Sequence, residues 1–332
     1  MSDSPSNTLR WGILGPGSIA RSFASDLRTA GLPLTAVGSR SADTAQAFAV
    51  EFDIPRAHAS YGDLLADPDV DIVYIATPHP FHKDPAILAL ESGKHVLIEK
   101  PFTLTADEAI AVRDVAAGNG LLAMEAMWTR YLPHMVRIRE ILAAGTLGDV
   151  RAVMADHTQR ISSDPAHRLN ALELGGGALL DLGVYPISFA CDVLGAPTSI
   201  TSQGRLGDTG ADTEVATIMT HGSGALSTSI SSSRAAGPNT AHIIGTDARL
   251  DIDQVWYSPT SFRVTTPDGA VLEEYTTRID GRGMQFQAME AARIVAEGRI
   301  DGDILPIDES IAIMQTLDEV RAQIGVRYPG GK

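Results

Sequence analysis

Residues 9–20 have the sequence LRWGILGPGSIA, an apolar run that leads through a glycine-rich turn into a helical pattern. The run Leu9–Leu14 predicts a buried β-strand, and Ser18–Ala30 predicts the α-helix that follows it. A strand, a glycine turn and a helix in this order are typical of the first unit of a doubly wound α/β fold. The stretch therefore predicts the fold class of the amino-terminal part of the chain.

The turn itself fits the pattern G-x-G-x-x-A of dinucleotide-binding sites. Gly15 permits the tight turn, Gly17 allows the backbone to approach a pyrophosphate, and the small Ala20 allows the helix to pack closely on the strand. The amides at the helix start, including those of Ser18 and Ile19, are suited to bind phosphate. Glycines at such a corner can also serve chain geometry alone, so the turn by itself is a weak signal.

Short apolar runs continue to alternate with helical patterns as far as residue 126. The alternation predicts a parallel sheet with helices on both faces. The predicted strands are Leu34–Gly38, Asp71–Thr77, His95–Glu99 and Leu121–Ala126, and the predicted helices are Ala42–Phe52, Asp84–Ser92 and Ala106–Ala117.

The pattern changes after residue 126, because strands then follow one another without intervening helices. Such a succession predicts an antiparallel sheet. The predicted elements are helices at Pro133–Ala144, Ala178–Leu194, Gly283–Glu297 and Asp308–Ile324, a strand at Asp149–Gln159, and several strands between Ser199 and Tyr275.

The chain is therefore predicted to be an α/β protein of two domains. Residues 1–126 form a Rossmann domain with a doubly wound parallel sheet, and residues 127–332 form an α+β domain with an open, mostly antiparallel sheet. The last helix can pack back on the first domain.

Composition excludes several classes of partner. The 332 residues carry a net charge of −15, from 26 Lys+Arg against 41 Asp+Glu, and such a surface repels nucleic acid and anionic membranes. Cys191 is the only cysteine, so an internal disulfide and a thiolate metal site are excluded. The start of the sequence, MSDSPSNT, lacks the features of a signal peptide. We expect a cytoplasmic protein that binds neither nucleic acid nor membranes and uses no metal.

The end of the second predicted strand indicates which dinucleotide binds. An NAD site usually carries an acidic residue there to hold the ribose 2′-hydroxyl, but this chain has Ser39, Arg40 and Ser41. An arginine can pair with a 2′-phosphate, and the serine hydroxyls can donate to it. NADP is therefore preferred, with NAD possible, and a solvated arginine beside the next helix is the alternative.

Two further stretches contain residues suited to proton transfer. Lys100 follows the strand His95–Glu99, and in an open α/β sheet ligands lie outside the carboxyl ends of the strands. Asp181 and Tyr185 lie four residues apart in the apolar helix after Gly175–Gly177, hence on one helix face. A buried Asp–Tyr hydrogen bond that only stabilises the fold is the alternative.

Together, GPGSIA, Glu99-Lys100-Pro101 and GGGALLDLGVYPI resemble the Gfo/Idh/MocA family of oxidoreductases over nearly the whole chain. The segment EAMWTRYLP at residues 125–133 is similar to the branch with dimeric dihydrodiol dehydrogenases and NADP-dependent D-xylose dehydrogenases. Many family members have His where this chain has Tyr185, whereas that branch has Tyr. The resemblance implies a homodimer or a dimer of dimers.

The resemblance also implies roles for particular residues. Lys100, Asp181 and Tyr185 match the catalytic positions, and Trp128 and Arg168 are candidates for substrate contact, although core packing and a surface ion pair explain these two equally well. The positions expected to bind the cofactor are Gly15, Gly17, Ser18, Ile19, Ser39, Arg40, Thr77, Pro78, His82, Glu99 and Lys100. For His82 a helix cap is the alternative.

The expected activity is hydride transfer between the nicotinamide and a sugar, polyol or diol carbon. A tyrosine phenol has an ordinary pKa of about 10, and a neighbouring Lys100 cation would lower that of Tyr185 toward the range of a useful base. Their roles can also be exchanged. The alternatives are a cofactor-binding regulator without turnover and a glycoside hydrolase that uses the nicotinamide transiently.

Overall fold

The computed structural model describes residues 9–276 and 278–330. The chain divides into two compact units. The first takes in the chain up to Thr103 together with Asp107–Trp128 and Asp280–Ser310, and the second takes in Leu104–Ala106, Thr129–Ile279 and the chain from Ile311 onward. The domain boundary after residue 126 stays a prediction, since spatial proximity does not establish which segments fold independently.

The first unit contains a parallel sheet of six strands in the order β3-β2-β1-β4-β5-β6. The strand order reverses between β1 and β4, which is where doubly wound sheets bind nucleotides. The strands are β1 Trp11–Leu14, β2 Leu34–Gly38, β3 Arg56–His58, β4 Ile72–Ile75, β5 His95–Glu99 and β6 Ala123–Ala126. The helices are α1 Ser18–Thr29, α2 Ala42–Phe52, α3 Tyr61–Leu65, α4 Lys83–Glu91 and α5 Ala106–Asn119.

Aromatic packing holds α1 on this sheet. The ring of Phe23 lies 3.9 Å from that of Tyr74 and stacks on it, and it meets the ring of Trp11 edge-on at 5.3 Å. All three side chains are fully buried, so their burial favours the docked helix. The Rossmann prediction is confirmed. Among the strands and α-helices of the first unit the sequence analysis missed β3 and α3, which are too short to show a periodic pattern.

The second unit contains an eight-stranded sheet in the order β14-β13-β12-β11-β7-β10-β9-β8. Among the described strands β7 and β10 pair in parallel and the other neighbours are antiparallel, as predicted. The strands are β7 Val150–Thr158, β8 Pro197–Leu206, β9 Asp212–His221, β10 Leu226–Ser232, β11 Ala241–Gly245, β12 Arg249–Ile252, β13 Phe262–Thr265 and β14 Val271–Tyr275. The helices of the carboxy-terminal half are α6 Pro133–Ala143, α7 Val184–Leu194, α8 Gln285–Ala296 and α9 Ile307–Ile324.

The predicted helix Ala178–Leu194 differs from the observed one at its start. Leu179–Gly183 forms a π-helical turn, and the α-helix α7 begins only at Val184. A π-helical turn widens the backbone ring, and such turns are frequent at functional sites. The longer segment Leu172–Leu194 is apolar and long enough to cross a membrane, but 83% of its most apolar window is buried within the fold.

Candidate active site

The glycine turn lies at the carboxyl end of β1. Gly15 has φ +91°, and a Cβ there would lie 3.2 Å from the backbone of Ala76 and Thr77 at the end of β4. Gly17 precedes α1, and a Cβ on it would meet no atom within 4 Å. The turn is therefore pressed against the sheet on one side and open on the other.

The start of α1 fits a pyrophosphate. No side chain caps the helix among the described residues, so the amides at Ser18 and Ile19 have no side-chain acceptor. Uncapped amides at a helix start, together with the helix dipole, attract an anion. The residues present thus fit the phosphates of a dinucleotide.

The end of β2 fits a 2′-phosphate. The amide of Ser39 donates to His58 O at 3.1 Å, while its Oγ accepts from the amide of Ser41 at 3.2 Å. Arg40 is exposed, and residues 37–42 contain no acidic side chain that could hold a ribose 2′-hydroxyl. The charge at this corner is that of an NADP site rather than an NAD site.

His82 joins two loops at the carboxyl edge of the sheet. Its imidazole is fully buried, with Nε2 2.8 Å from Thr77 O and Nδ1 3.0 Å from Pro101 O. Burial lowers the pKa of His82 below its ordinary value. The side chain makes no cap bond to α4, so its contacts hold the Thr77-Pro78 loop against the turn that follows Lys100.

Glu99 lies buried directly before Lys100. Its carboxylate accepts hydrogen bonds from the hydroxyl of Tyr74 and, at 3.2 Å, from the amide of Lys100. Burial raises the pKa of Glu99 above its ordinary value, and the Lys100 charge acts against this shift. Glu99 thereby fixes the backbone of the Lys100 turn from inside the sheet.

Arg282 is a residue that the sequence analysis missed. Its guanidinium lies over the ring of Trp128, 5.0 Å from the centroid, and Trp128 is only 1% exposed. The carboxylate of Asp26 accepts from the amides of Arg282 at 2.9 Å and Met284 at 2.8 Å and so holds this segment. A local sequence pattern cannot predict a contact between residues 154 positions apart, so this pairing becomes visible only in the folded chain.

In the second unit, Asp181 and Arg168 form a bidentate ion pair. The two terminal guanidinium nitrogens of Arg168, Nη1 and Nη2, each lie 3.1 Å from a different carboxylate oxygen of Asp181. The Asp181 side chain is 9% exposed, whereas that of Arg168 is 56% exposed. A paired, fixed geometry of this kind orients both groups, so the structure brings a predicted catalytic residue and a predicted substrate residue together.

Tyr185 lies in a buried cluster of three rings. The imidazole of His157 meets the Tyr185 ring edge-on at 4.9 Å and stacks on the Tyr257 ring at 3.7 Å. The three residues are at most 8% exposed. The sequence analysis missed His157, because a histidine in a strand carries no signal of its neighbours across the sheet.

The predicted site residues thus form separate groups within each unit. Those at the sheet edge of the first unit are Gly15, Gly17, Ser18, Ile19, Ser39, Arg40, Thr77, Pro78, His82, Glu99, Lys100 and Trp128, and those of the second unit are Arg168, Asp181 and Tyr185. The described residues contain no cluster of three or more His, Cys, Asp or Glu that could hold a metal ion.

Two family models match the chain. Residues 9–127 match the oxidoreductase family with an NAD-binding Rossmann fold, Gfo/Idh/MocA, and residues 135–251 match the Gfo/Idh/MocA carboxy-terminal domain. The chain therefore belongs to the Gfo/Idh/MocA family of oxidoreductases. The resemblance inferred from its motifs is confirmed.

Individual relatives are similar over almost the full length. A trans-1,2-dihydrobenzene-1,2-diol dehydrogenase of Mus musculus is 35% identical, with 98% of this chain and 99% of the relative covered. A D-xylose 1-dehydrogenase (NADP(+)) of Hypocrea jecorina is 34% identical, with 97% and 93% covered. The structure resembles that of a 3-ketoreductase from Actinomadura kijaniata in complex with NADP and TDP-benzene, with a TM-score of 0.83, 28% identity and coverage of 95% and 98%.

The two glycines of the phosphate turn are expected to respond differently to substitution by alanine. Gly17→Ala should leave the thermal midpoint nearly unchanged but weaken NADP⁺ binding about tenfold or more, since its Cβ enters only the open side of the turn. Gly15→Ala should lower the thermal midpoint, because its φ is positive and its Cβ touches the β4 backbone. Calorimetric titration and thermal unfolding of both variants measure this; equal effects on stability would contradict it.

Proposed function

We propose that this protein is an NADP-dependent oxidoreductase that transfers a hydride between the nicotinamide and a hydroxyl-bearing carbon of a sugar, polyol or diol. The observation that carries the proposal is the position of Lys100 at the carboxyl end of β5, on the sheet edge that carries the phosphate turn. A binding-only regulator has no need of a lysine there in addition to Asp181 and Tyr185. The dehydrogenase and ketoreductase names of the relatives support the same reaction class.

The proposed catalytic residues are Lys100, Asp181 and Tyr185. NADP⁺, when held at the carboxyl edge of the first sheet, would supply the hydride acceptor. Tyr185 takes the hydroxyl proton of the substrate through its phenol oxygen, and the Lys100 ammonium favours the phenolate form that this requires. Asp181, fixed by its ion pair with Arg168, orients the substrate hydroxyls. In the reducing direction Tyr185 donates the proton instead.

The proposed cofactor contacts follow from the geometry of the first unit. The amides at Ser18 and Ile19 bind the pyrophosphate, and Ser39 and Arg40 bind the 2′-phosphate. The loop of Thr77, Pro78 and His82 and the turn of Glu99 and Lys100 supply the remaining contacts. Trp128 is proposed as an apolar contact of the substrate.

The proposed substrate is a neutral polyhydroxyl compound. The relatives named for D-xylose and for a trans-dihydrodiol act on compounds without charge. Both substrates present vicinal hydroxyl groups, which Asp181 and Arg168 are suited to recognise by accepting and donating hydrogen bonds.

The reaction is tested by the absorbance of NADPH formed from NADP⁺ with D-xylose, D-glucose, an inositol and a trans-dihydrodiol. Tyr185→Phe and Lys100→Met are each expected to lower kcat by about 10²–10⁴-fold, because each removes a group that acts on the proton. Binding of NADP⁺ to Tyr185→Phe should be unchanged. The group that carries the proton is the one whose removal abolishes the limb over which kcat rises with pH, because a base must be deprotonated to accept the hydroxyl proton.

A matched control is Tyr61→Phe, which removes a phenol hydroxyl from α3 of the first unit and should leave kcat unchanged. Turnover by Tyr185→Phe at the wild-type rate would contradict the assignment. Cleavage of a glycoside without net NADPH formation would replace the dehydrogenase with a hydrolase that uses the nicotinamide transiently.

Cofactor preference is expected to depend on Arg40. Arg40→Ala should weaken NADP⁺ binding by about 10–100-fold, since a charge-assisted pair with the 2′-phosphate is lost, while NAD⁺ binding should not change. Fluorescence titration with both dinucleotides measures the ratio, and Arg28→Ala, an exposed arginine on α1, is the control. An equal loss for both dinucleotides would contradict the assignment.

We further propose that the protein is a homodimer that pairs through one face of its eight-stranded sheet. Met154, Ile218, Leu226, Ile230 and Ile244 lie on this face, and each is 37–55% exposed. The register places them together, since Thr228 of β10 lies opposite both Met154 and Ile218. A contiguous apolar patch on a sheet face is typical of a protein–protein interface, and a dimer of dimers can add a further interface.

The dimer is tested by sedimentation of the variant Ile218→Lys/Ile230→Lys. Two charges at the centre of the proposed interface should shift the mass from that of two chains to that of one, with the helical signal in circular dichroism retained. Val50→Lys, at an apolar residue 73% exposed on α2, should leave the mass unchanged. A wild-type monomer at micromolar concentration would refute the dimer.

A cytoplasmic location is also proposed, because a chain with a single cysteine has no use for an oxidising compartment.

A further inference from the structure

Two of the three glycines before Asp181, Gly176 and Gly177, are pressed against neighbouring groups of the second unit. A Cβ on Gly176 would lie 2.8 Å from the carbonyl oxygens of Arg168 and Ala171. A Cβ on Gly177, where φ is +145°, would overlap the Oδ1 atom of Asp212. The glycines therefore make room for specific groups, and one of these is a carboxyl group from the first residue of β9.

The carboxyl group of Asp212 holds the start of the π-helical turn. Its Oδ2 atom accepts a hydrogen bond from the amide of Leu179 at 2.6 Å, and the amide of Ala178 favours the charged form of the carboxyl by lowering its pKa. Asp181 is the third residue of this turn, and Tyr185 is the second residue of α7, which continues from it. A change at Asp212 therefore acts on the backbone that carries both proposed catalytic side chains.

Burial of Asp212 is costly for the fold. The residue is 1% exposed, and its Oδ1 atom has no hydrogen-bond partner among the described residues. Burial raises the pKa of the carboxyl to about 6, although the bonds from the turn amides act against this shift. A buried polar atom without a partner destabilises the native state, so the bond from Leu179 has to offset this cost.

We propose that Asp212 is a positioning residue for catalysis, whose ionised carboxylate fixes the π-helical turn and thereby sets the placement of Asp181 and Tyr185. The inference rests on the proposed function, since it assigns roles in that reaction. Asp212 touches neither substrate nor cofactor in this assignment; it acts through the backbone of residues 177–183.

The groups that face Asp212 determine how it titrates. On its own strand, the charge of Glu214 raises the pKa of Asp212. From the carboxy-terminal segment, the buried phenol of Tyr328 faces it and donates to Gly176 O at 3.0 Å, while Arg321 lies 5.2 Å from the Tyr328 ring. Protonation of Asp212 weakens its charge-assisted bonds to the turn, so kcat should fall as the pH drops through about 6.

The test compares Asp212→Asn with the wild type. Asparagine keeps an oxygen acceptor but no charge, so it mimics the protonated acid at every pH. The expected result at pH 8 is a kcat lower by about tenfold, because small displacements of catalytic groups are costly, with an unchanged KM for NADP⁺. The acid limb of kcat near pH 6 should disappear. Asp208→Asn, an exposed acid in the turn between β8 and β9, should behave as the wild type.

Three results would overturn the proposal: an unchanged kcat in Asp212→Asn, a limb near pH 6 that persists in that variant, or a loss that vanishes after correction for the fraction of folded protein. If Asp212→Asn does not fold, Tyr328→Phe perturbs the same turn while keeping the carboxyl group, and it should lower kcat without changing the KM for NADP⁺. An unchanged kcat in Tyr328→Phe would then count against the proposal.

Hydrogen–deuterium exchange separates this proposal from the proposed function. Amides of residues 176–183 should exchange at least about tenfold faster in Asp212→Asn than in Asp208→Asn at the same pH, because a protecting acceptor is weakened. This holds even if the wild type oxidises none of the substrates, which would overturn only the reaction. Equal exchange in both variants, with dehydrogenase activity present, would overturn only the role of Asp212.

Discussion

The amides at a helix start need acceptors, and this chain meets that need in two opposite ways. At α1 no side chain supplies one, so the helix start is left for an anion to bind. At Leu179 an internal carboxylate supplies one and closes the helix start to any ligand. The first arrangement creates a binding site for a mobile group, and the second fixes a backbone. The phosphate turn of the first unit therefore has free amides for an anion, whereas the π-helical turn that carries Asp181 in the second unit has an internal acceptor.

The groups at the carboxyl edge of the first sheet carry positive charge, although the chain as a whole is negative. The chain carries a net charge of −15, yet the sheet edge collects Arg40 and Lys100 together with uncapped amides. Two acids of the first unit are occupied within the fold: Glu99 is buried against Tyr74, and Asp26 accepts from the amides of residues 282 and 284. Local arrangement, rather than net charge, therefore decides whether an anionic dinucleotide can approach.

The sequence allowed accurate prediction where structure depends on neighbours along the chain. Buried runs such as Asp71–Thr77 and the glycine turn at residues 15–17 are local patterns, so strands, helices and the parallel sheet followed from them. The short elements β3 and α3, of three and five residues, are too short to show a repeated pattern and were missed. The partners of site residues were also missed, because Arg282, His157 and Asp212 reach Trp128, Tyr185 and Leu179 only through the folded backbone. The π-helical turn also receives such a distant contact, from Asp212 to the amide of Leu179.

A side chain at residue 177 would overlap the carboxyl of Asp212, so the substitutions allowed at these two distant positions depend on each other. A mutation that enlarges residue 177 meets this overlap and also a backbone with φ +145°, so it requires an earlier shortening of residue 212 as well as a shift of the turn. A smaller residue 212 meets no collision and leaves a void instead, although it removes the acceptor of the Leu179 amide. Substitutions should therefore accumulate at residue 212 before residue 177, so this contact restricts the order in which the sequence of the turn can diverge.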